Sequence, residues 1–486
     1  MTSTHDGQSP GGDSTSAAIP RLSIFHQQNG EPCQQFLNNR ASQDLTTFVR
    51  RGLGVNAFSV GAMPRAPLPS TAKPPPGGFR RGSVGYRRAS AAAFLAGAGS
   101  LSVLYAPQAV LPLLAADFAI SPAASSLAIS VSTGAIAVSL LPMSSLSARW
   151  GYARVMTVSL AVTTVLAVLV PLSPTFATLL ALRAIQGVAF AGVPALVIAY
   201  LGSTIHGSWL GSAVGLFVAG NTVGGLSGRL LAAAVADVVG WRAAFAAVAL
   251  FAGACLVGFW WLLPTRGDGA RGERSEFGDS TTTDKTVGQH VAAHLRDSGL
   301  LALFAISFVL MSAFVSVYNY LPYRLLDAPF ALSPAVVGLI FLAYLAGGFA
   351  AGVAGRLGDR LGQGRVLRVT VLISLLAILL TWPDQLAFVL GGLVLITAGF
   401  FGAHSSASAD VRRRAVRGGA EASALYLSAY YAGNGIGGYL SGFAFEAWGW
   451  PGIVAFVTCA LLLALGLVHV VRRPRRRVEH GRPHRA

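Results

Sequence analysis

The sequence predicts an all-α membrane protein in which twelve transmembrane helices form two parallel, pseudo-repeated six-helix bundles. Three observations lead to this fold class: the composition is unusually apolar, apolar runs of spanning length follow one another, and the two halves repeat. Hydrophobic residues make up 53% of the 486 residues and charged residues 11%, and the mean hydropathy is +0.59. Soluble domains carry about 25% charged residues, so lipid must cover much of this chain.

From Ala89 onward the chain divides into apolar runs of about 20 residues, the length that crosses the hydrocarbon core of a bilayer. Backbone groups in hydrocarbon must bond within their own segment, which makes helices the expected form. The predicted spans are 89–114, 123–146, 153–171, 175–201, 207–235, 241–263, 299–325, 333–355, 365–382, 386–407, 420–444 and 450–471.

The basic residues predict the orientation of these spans. If the N-terminus is cytoplasmic, 26 basic residues lie in the inner loops and tails, whereas Arg242 and Arg324 lie outside. The positive-inside rule therefore predicts two cytoplasmic termini. It also accounts for the net charge of +17, so nucleic acid is not an expected partner. Scarce lysine beside abundant alanine and glycine indicates a GC-rich bacterial genome, and hence the bacterial cytoplasmic (inner) membrane.

Polar intervals set the predicted domain limits. Residues 1–85 are rich in Ser, Gly, Pro and Gln and are predicted to be a disordered N-terminal extension. Residues 264–298 are too polar to span, which indicates a cytoplasmic linker between an N-terminal bundle at 86–263 and a C-terminal bundle at 299–471. Residues 472–486 are predicted to be a basic cytoplasmic tail.

Two motifs recur at nearly the same offset. Leu-Ser-Ala-Arg-Trp-Gly-Tyr-Ala-Arg-Val at 146–155 matches Leu-Gly-Asp-Arg-Leu-Gly-Gln-Gly-Arg-Val at 357–366, 211 positions later. Ala-Gly-Asn-Thr-Val-Gly-Gly at 219–225 recurs as Ala-Gly-Asn-Gly-Ile-Gly-Gly at 432–438, 213 positions later. An even number of helices per half gives both halves one orientation, so they are parallel repeats. A solute site is then expected between them near mid-membrane.

These motifs resemble those of the major facilitator superfamily over about 88–471. They are the loop at 355–365, the fourth-helix run Arg183-Ala-Ile-Gln186-Gly187, the fifth-helix run at 220–225 and the run at 399–406. The loop resembles the superfamily's loop signature, and the fourth-helix and fifth-helix runs resemble two signatures of its drug-efflux members. The run at 399–406 resembles a bacterial subgroup labelled arabinose-efflux-permease-like. The resemblance implies alternating-access transport of a small organic solute, with proton-coupled efflux as the leading expectation.

The glycine-rich loops are candidate gating elements, because a short turn brings two helices close and lets charged side chains face a neighbouring helix end. The candidates are Arg149, Gly151 and Arg154 in the first half and Gly355, Asp359, Arg360, Gly362 and Arg365 in the second. Ala148 occupies the position of the family's carboxylate in the first half, so Asp359 is expected to carry more of the gating contacts. A positive-inside turn without a gating role is the alternative.

The repeated fifth-helix motifs combine small residues with an amide. Their glycines permit close helix packing, and they are Gly220, Gly224, Gly225, Gly433, Gly437 and Gly438. Asn221 and Asn434 stand where the family's antiporter signature has proline, and their amides are predicted to bond across the half-to-half interface or to a solute. Packing alone is the competing interpretation.

Arg183 is the clearest charge within a predicted span, and such a group is costly unless it is paired or hydrated. It is therefore a functional candidate, with Gln186 one turn away to orient it. Asp117 and Asp237 are candidate carboxylate partners, for which Arg229 competes. A snorkelling arginine at the outer boundary is the alternative.

Polar aromatic residues in the spans predict a cavity for an amphipathic solute. Together with neighbouring amides, the cavity candidates are Tyr105, Gln108, Tyr318, Asn319, Tyr426 and Tyr430. Tyr320 and Tyr323 are predicted to lie in an interfacial aromatic belt. His404 either titrates near neutrality or ends its helix without a role.

The sequence favours a transporter over other classes. It contains no nucleotide-binding glycine loop with its lysine and no visible metal-ligand cluster, so neither an enzyme nor a cofactor is expected. The expected partners are a small-molecule substrate, protons as a candidate coupling ion, and the lipid bilayer, and a monomer is expected. Acids are few within the spans, so a facilitator or a proton symporter is an alternative. A non-transporting receptor or structural protein is disfavoured by the repeated gate-like loops.

Overall fold

The computed structural model describes residues 78–264, 284–415 and 418–471, and these residues are almost entirely helical. The helices before the linker are α1 (Val84–Tyr105), α2 (Leu111–Asp117), α3 (Pro122–Trp150), α4 (Tyr152–Leu169), α5 (Phe176–Phe190), α6 (Pro194–Thr204), α7 (Gly207–Val239) and α8 (Trp241–Leu262). Within the linker lies α9 (Asp284–Arg296), and after it come α10 (Ser298–Leu326), α11 (Pro334–Gly338), α12 (Ala343–Leu361), α13 (Gln363–Leu380), α14 (Leu386–Arg414) and α15 (Gly419–Val471). Most of the predicted extension at 1–85 and the whole predicted tail at 472–486 lie outside the described residues.

Ten helices of the described chain are long and apolar enough to cross a membrane. The predicted twelve spans differ from these at two places. The spans 420–444 and 450–471 are joined in α15, which bends at Gly449, where a φ of 61° leaves the helical region. The span 175–201 is divided into α5 and α6 by a turn before Pro194, and neither piece reaches spanning length.

The first helix also breaks earlier than its predicted end at residue 114. α1 ends at Tyr105, and a 3₁₀ turn at Ala106–Ala109 connects it to α2. The cause is Pro107, which has no N–H to offer the carbonyl of Val103. Hydropathy stays high through this point, so an apolar run alone does not reveal the break.

The helices before and after the linker have separate buried cores. α1 packs on α7 and α8, and α10 packs on α15. The buried apolar residues from 300 onward form one cluster, and those up to 259 form others. Contacts between the two sets run from α3 to α15 and from α7 to α11. An interface between the halves is therefore lined by helices from both cores.

The sequence repeat corresponds to a repeat of backbone conformation. Gly151 and Gly362 lie 211 positions apart, and both have a left-handed φ, of 83° and 89°, at the turns after α3 and α12. Gly240 and Gly449, which precede the two repeated tryptophans, have φ values of 94° and 61°. Glycine adopts this region without the strain that a Cβ causes. The repeated glycines thus fix where equivalent helix pairs turn.

The predicted linker contains a helix that the sequence analysis does not predict. His294 Nε2 of α9 lies 2.9 Å from the carbonyl oxygen of Gly418, and His290 Nδ1 lies 3.6 Å from the Glu421 carboxylate. The described part of the linker is therefore attached to the first turn of α15.

Candidate functional site

Buried amides join the two halves at the kinked end of α1. Gln108 Nε2 donates to Asn319 Oδ1 of α10 at 2.9 Å, and Asn434 Nδ2 of α15 donates to the Tyr105 hydroxyl at 3.3 Å. Both hydrogen bonds are shielded from solvent, since Gln108, Asn319 and Asn434 are at most 1% exposed. The structure thus brings four of the sequence-predicted cavity residues together at the interface between the halves.

Arg229 of α7 lies at the centre of this interface, although the sequence analysis did not select it as a site residue. Its Nε donates to Gln108 Oε1 at 2.8 Å, and its Nη1 donates to the Gly225 carbonyl oxygen at 2.8 Å. Its Nη2 donates across the interface to the Tyr344 hydroxyl at 3.1 Å. Arg229 is only 3% exposed, and Gln108 links its guanidinium to Asn319 of the opposite half.

Aromatic rings from both halves enclose the Arg229 guanidinium. Its central carbon lies 4.4 Å from the ring centroid of Tyr105, 4.5 Å from that of Tyr344 and 5.2 Å from that of Phe341. Cations in such positions are attracted to the ring faces. The signal that could have found Arg229 is the one used for Arg183, namely an arginine within an apolar span.

Arg183 has a different environment from the one predicted. It is 1% exposed, and its Nε donates to the Ala128 carbonyl oxygen at 2.7 Å. Its two terminal nitrogens donate to the carbonyl oxygens of Val103 and Leu104, at 3.1 and 2.7 Å, and Nη1 also contacts Gln186 Oε1 at 2.5 Å. Because Pro107 leaves the Val103 carbonyl without its helical donor, Arg183 compensates for the break that ends α1.

The predicted carboxylate partners of Arg183 were wrong. Asp117 instead accepts hydrogen bonds from the indole of Trp241 at 3.0 Å and from Arg242 at 2.9 Å. The Trp241 bond and the arginine hold the pKa of this carboxyl below its usual range. Asp237 is exposed. Arg183 therefore braces helices within the first half, and Gln186, which also donates to the Thr163 carbonyl oxygen at 2.9 Å, holds it in place.

A continuous group of aromatic rings extends from Tyr344 through the second half. The centroid separations are 5.8 Å from Tyr344 to Phe401, 5.3 Å from Phe401 to Phe400 and 6.4 Å from Phe400 to Tyr430. The ring of His404 lies 5.0 Å from that of Tyr430. Tyr344, Phe401, Tyr430 and His404 are partly exposed. We refer to Tyr344, Phe400, Phe401, His404 and Tyr430 together as the aromatic wall.

The remaining predicted aromatic residues are more deeply packed. Tyr318 is fully buried, and its hydroxyl bonds to Thr397 Oγ1 at 2.7 Å within the second half. Tyr426 is 2% exposed, and its hydroxyl lies 3.0 Å from His404 Nδ1. His404 therefore has a side-chain partner, and it lies within α14 rather than at its end.

The predicted belt role of Tyr320 and Tyr323 was wrong. Tyr320 is fully buried, and its hydroxyl donates to the Gly438 carbonyl oxygen at 2.8 Å. The Tyr323 hydroxyl lies 2.7 Å from Ser125 Oγ of the first half. Nearby, the amide of Ala123 donates to Glu446 Oε1 at 2.8 Å. The Tyr323–Ser125 and Ala123–Glu446 contacts join the halves at the end that the arginine pattern predicts to be extracellular.

The repeated glycines divide into two groups by what they face. A Cβ on Gly220 or Gly224 would collide with α1 backbone, and one on Gly433 or Gly437 would collide with α10, so these four permit close helix contact. Gly225 and Gly438 face Arg229 and Asn319 respectively, at the interface between the halves. Asn221 faces Gly97 of α1 within its own half, whereas its counterpart Asn434 bonds to Tyr105 of the opposite half.

The gating candidates lie at the opposite end of the helices. Asp359 forms an exposed ion pair of 3.0 Å with Arg413 within the second half. Arg154, Arg360 and Arg365 are exposed, and a Cβ on Gly355 would meet no neighbour within 4 Å. The side chain of Arg149 lies outside the described part of the chain. No group of His, Cys, Asp or Glu that could hold a metal ion occurs among the described residues.

The sequence profile of the Major Facilitator Superfamily matches residues 91–327 and 303–486, so the chain belongs to this superfamily. It is 36% identical over 407 residues to the uncharacterized MFS-type transporter YybF of Bacillus subtilis, covering 83% of this chain and 99% of that protein. It is also 36% identical over 387 residues to the inner membrane transport protein YnfM of Escherichia coli, covering 80% of this chain and 91% of that protein. Its relatives are named as transporters.

Solved structures have the same fold at low sequence identity. A bacterial homologue of the human lysosomal transporter Spinster, in an inward-facing and occupied conformation, has a TM-score of 0.61 at 15% identity, covering 78% of this chain and 93% of that one. The nucleoside transporter NupG has a TM-score of 0.63 at 14% identity, covering 79% of this chain and 99% of that one. This protein is thus a multi-pass membrane transporter of MFS type, which implies a small-molecule substrate.

Proposed function

We propose that this protein is a secondary active transporter that moves a small organic solute across the bacterial cytoplasmic membrane by alternating access. The observation that carries the proposal is the buried polar bridge from Arg229 through Gln108 to Asn319, which crosses from one half to the other. Polar groups this deep in an apolar protein are costly and are retained where they serve a solute or a moving interface. YybF and YnfM, both named as transporters, support the same class.

The topology that we propose has twelve spans in two six-helix bundles with cytoplasmic termini. Dividing α15 at Gly449 yields two spans, and the broken pair α5 and α6 together accounts for another. The repeated left-handed glycines support two equivalent bundles, as does the separation of the buried apolar clusters up to residue 259 from the cluster that begins at residue 300. The arginine distribution supports the orientation.

Alternating access requires contacts that close one end of the interface while the other end opens. We assign the closing contacts at the outer end to the pairs Ser125–Tyr323 and Ala123–Glu446. At the inner end, the ion pair of Asp359 is the candidate for contacts that rearrange when that end closes. The arrangement resembles an inward-facing transporter, like the Spinster homologue.

Coupling to protons needs a group that changes its protonation state within the spanning region. We assign this role to His404, a titratable side chain within α14. Its Nδ1 contacts the Tyr426 hydroxyl, and its ring borders Tyr430 of the aromatic wall. Proton-coupled efflux is the direction we propose, on the resemblance of the motifs to drug-efflux members. A facilitator or a proton symporter is the second candidate.

The test is flux of a compound panel in proteoliposomes, measured in both directions with and without an imposed pH gradient. The proposal expects saturable flux of at least one compound, driven by the gradient in the wild type and independent of it in His404→Gln. His469→Gln, at the exposed end of α15, is the matched control and retains coupling. Saturable flux that ignores the gradient favours a facilitator, uptake with protons favours a symporter, and no flux of any compound favours a receptor or structural protein.

A further inference from the structure

The charge of Arg229 has no carboxylate partner in the described parts of the chain. Other arginines near helix ends do have one: Arg242 lies 2.9 Å from Asp117, Arg324 lies 2.6 Å from Asp384, and Arg413 lies 3.0 Å from Asp359. Those arginines are better exposed than the buried guanidinium at the interface, where an unpaired charge is most costly. Arg229 is therefore a buried charge without the carboxylate partner that these more exposed arginines have.

Arg183 is also buried without a carboxylate, but its surroundings explain its presence. Backbone carbonyl oxygens and the Gln186 amide accept its hydrogen bonds, and all of these acceptors belong to the first half. The partners of Arg229 are fewer, and one of them, the Tyr344 hydroxyl, belongs to the other half. A guanidinium has five N–H donors, and three are used in the contacts described above. Arg229 thus retains donors at a surface that moves in alternating access.

A second buried donor without a partner lies on the same polar bridge. Asn319 is fully buried, and its Nδ2 forms no hydrogen bond with any described residue. Ser130 Oγ of α3 is also buried and forms no hydrogen bond with any described residue. Both atoms face the backbone of Gly438, since a Cβ built there would lie 3.0 Å from Asn319 Nδ2 and 3.5 Å from Ser130 Oγ. The interface therefore holds one unpaired positive charge, together with buried polar atoms that have no partner among the described residues, namely the donor Asn319 Nδ2, the Ser130 hydroxyl and the acceptor Asn434 Oδ1.

The aromatic wall begins at the arginine itself. The Tyr344 ring contacts both the guanidinium and Phe401, and the wall continues through Phe400 to Tyr430. Partly exposed aromatic faces of this kind stack on planar apolar groups. A ligand whose anionic end reaches Arg229 would therefore place its body against aromatic rings of the second half.

We propose that the interface binds a small organic anion, with a carboxylate held by Arg229 and Asn319 and an aromatic body held by the aromatic wall. This inference rests on the proposed transport function, because it names the substrate class of that site. Bidentate pairing with a carboxylate uses the planar fork of arginine, which an ammonium group lacks. The N–H donors of Arg229 that are not used by Gln108, Gly225 and Tyr344 are the ones available to the anion.

The test is calorimetric binding to the purified full-length protein in detergent. The probes are benzoate, its neutral isostere benzamide, the cation benzylamine, and propionate, which is an anion without a ring. We expect benzoate to bind at least tenfold more tightly than each of the other three. Arg229→Gln should weaken benzoate binding by about 10- to 100-fold, the effect of losing a hydrogen bond to a charged group. It should leave the weak benzamide binding unchanged.

Two further variants keep the test decisive. Arg242→Gln removes an exposed arginine of the same half and should retain benzoate affinity. Should Arg229→Gln fail to elute as a folded monodisperse protein, Arg229→Lys replaces it and should retain a preference for benzoate over benzamide, with reduced affinity. Equal binding of benzoate and benzamide by the wild type, or undiminished benzoate affinity in Arg229→Gln, overturns the inference.

Failure of this inference is distinguishable from failure of the proposed function. Saturable flux of neutral or cationic compounds without benzoate binding refutes the anion site and leaves transport intact. Benzoate binding that depends on Arg229, without flux of any compound, supports the site and refutes transport.

Discussion

Replacing Arg183 by methionine is expected to destabilise the protein rather than to remove solute binding. Methionine fills a similar volume but donates no hydrogen bond. The carbonyl oxygens of Val103, Leu104 and Ala128 and the Gln186 amide oxygen would then lose the donors that Arg183 provides. Because α1 is already broken here, this loss falls at a point where backbone groups depend on a side chain.

The magnitude follows from the number of groups left unpaired. A buried acceptor without its donor costs about 1–3 kcal/mol. Removing the buried charge returns part of its desolvation cost, so we expect a net loss of about 2–4 kcal/mol. For a half of about 180 residues, each kcal/mol lowers Tm by about 2–4 °C, which gives a decrease of about 5–15 °C. Arg183→Lys should also lower Tm, since an ammonium on a flexible stem cannot reach three carbonyl oxygens at once.

The assay is the apparent Tm of detergent-solubilised protein, followed by the recovery of monodisperse protein after heating. Arg242→Gln, which removes an exposed arginine of the same half, is the control and should shift Tm little. Affinity for a transported solute is measured on the same samples. An unchanged Tm together with abolished solute affinity would refute this reasoning and place Arg183 in the binding site.

Three further perturbations test separate parts of the architecture. Gly224→Ala should prevent close packing of α7 on α1 and abolish the yield of folded protein. Gly215→Ala on the same helix meets no neighbour within 4 Å and should express normally. The measurement is the yield of monodisperse protein, and equal yields of the two variants would contradict the packing argument. Asp359→Asn should reduce the solute turnover measured in proteoliposomes by about tenfold at unchanged Tm, because its ion pair is exposed and worth about 0–1 kcal/mol to stability; unaltered turnover would remove it from the gate. Gly442→Leu should force the two halves apart at Ala123, at the outer end. A cysteine introduced at position 123 should then react with a membrane-impermeant maleimide. If that cysteine stays protected, the contact between Gly442 and Ala123 does not close the outer end.

The architecture could be predicted from the sequence because lipid imposes simple rules. Spanning runs must be apolar and helical, and the repeated loops revealed two parallel halves. The breaks before Pro194 and at Pro107 were missed because hydropathy averages over several residues, whereas a missing N–H acts at one residue. The continuity of α15 through Gly449 likewise depends on backbone angles that hydropathy does not report.

The site was predicted in part, and the errors have a common physical origin. Tyr105, Gln108, Asn319 and Asn434 were selected as polar groups in apolar spans, and the structure brings them together. Arg183 was assigned carboxylate partners because carbonyl oxygens freed by a helix break have no sequence signature. Tyr320 and Tyr323 were placed in the lipid interface because a sequence does not state which helix face meets the other half. Arg229 carries the same sequence signal as Arg183, an arginine within an apolar span, but the sequence does not state that its helix face meets the other half.

The most direct test of alternating access is a pair of distances measured by pulsed electron spin resonance in a background without native cysteines. Spin labels at Val238 and Trp382 report on the predicted outer end, and labels at Trp150 and Leu361 report on the predicted inner end; all four positions are exposed. A transported solute or a change of pH should lengthen the outer distance while it shortens the inner one, in one shifting population. Two distances that stay fixed, or that lengthen together, would contradict the account.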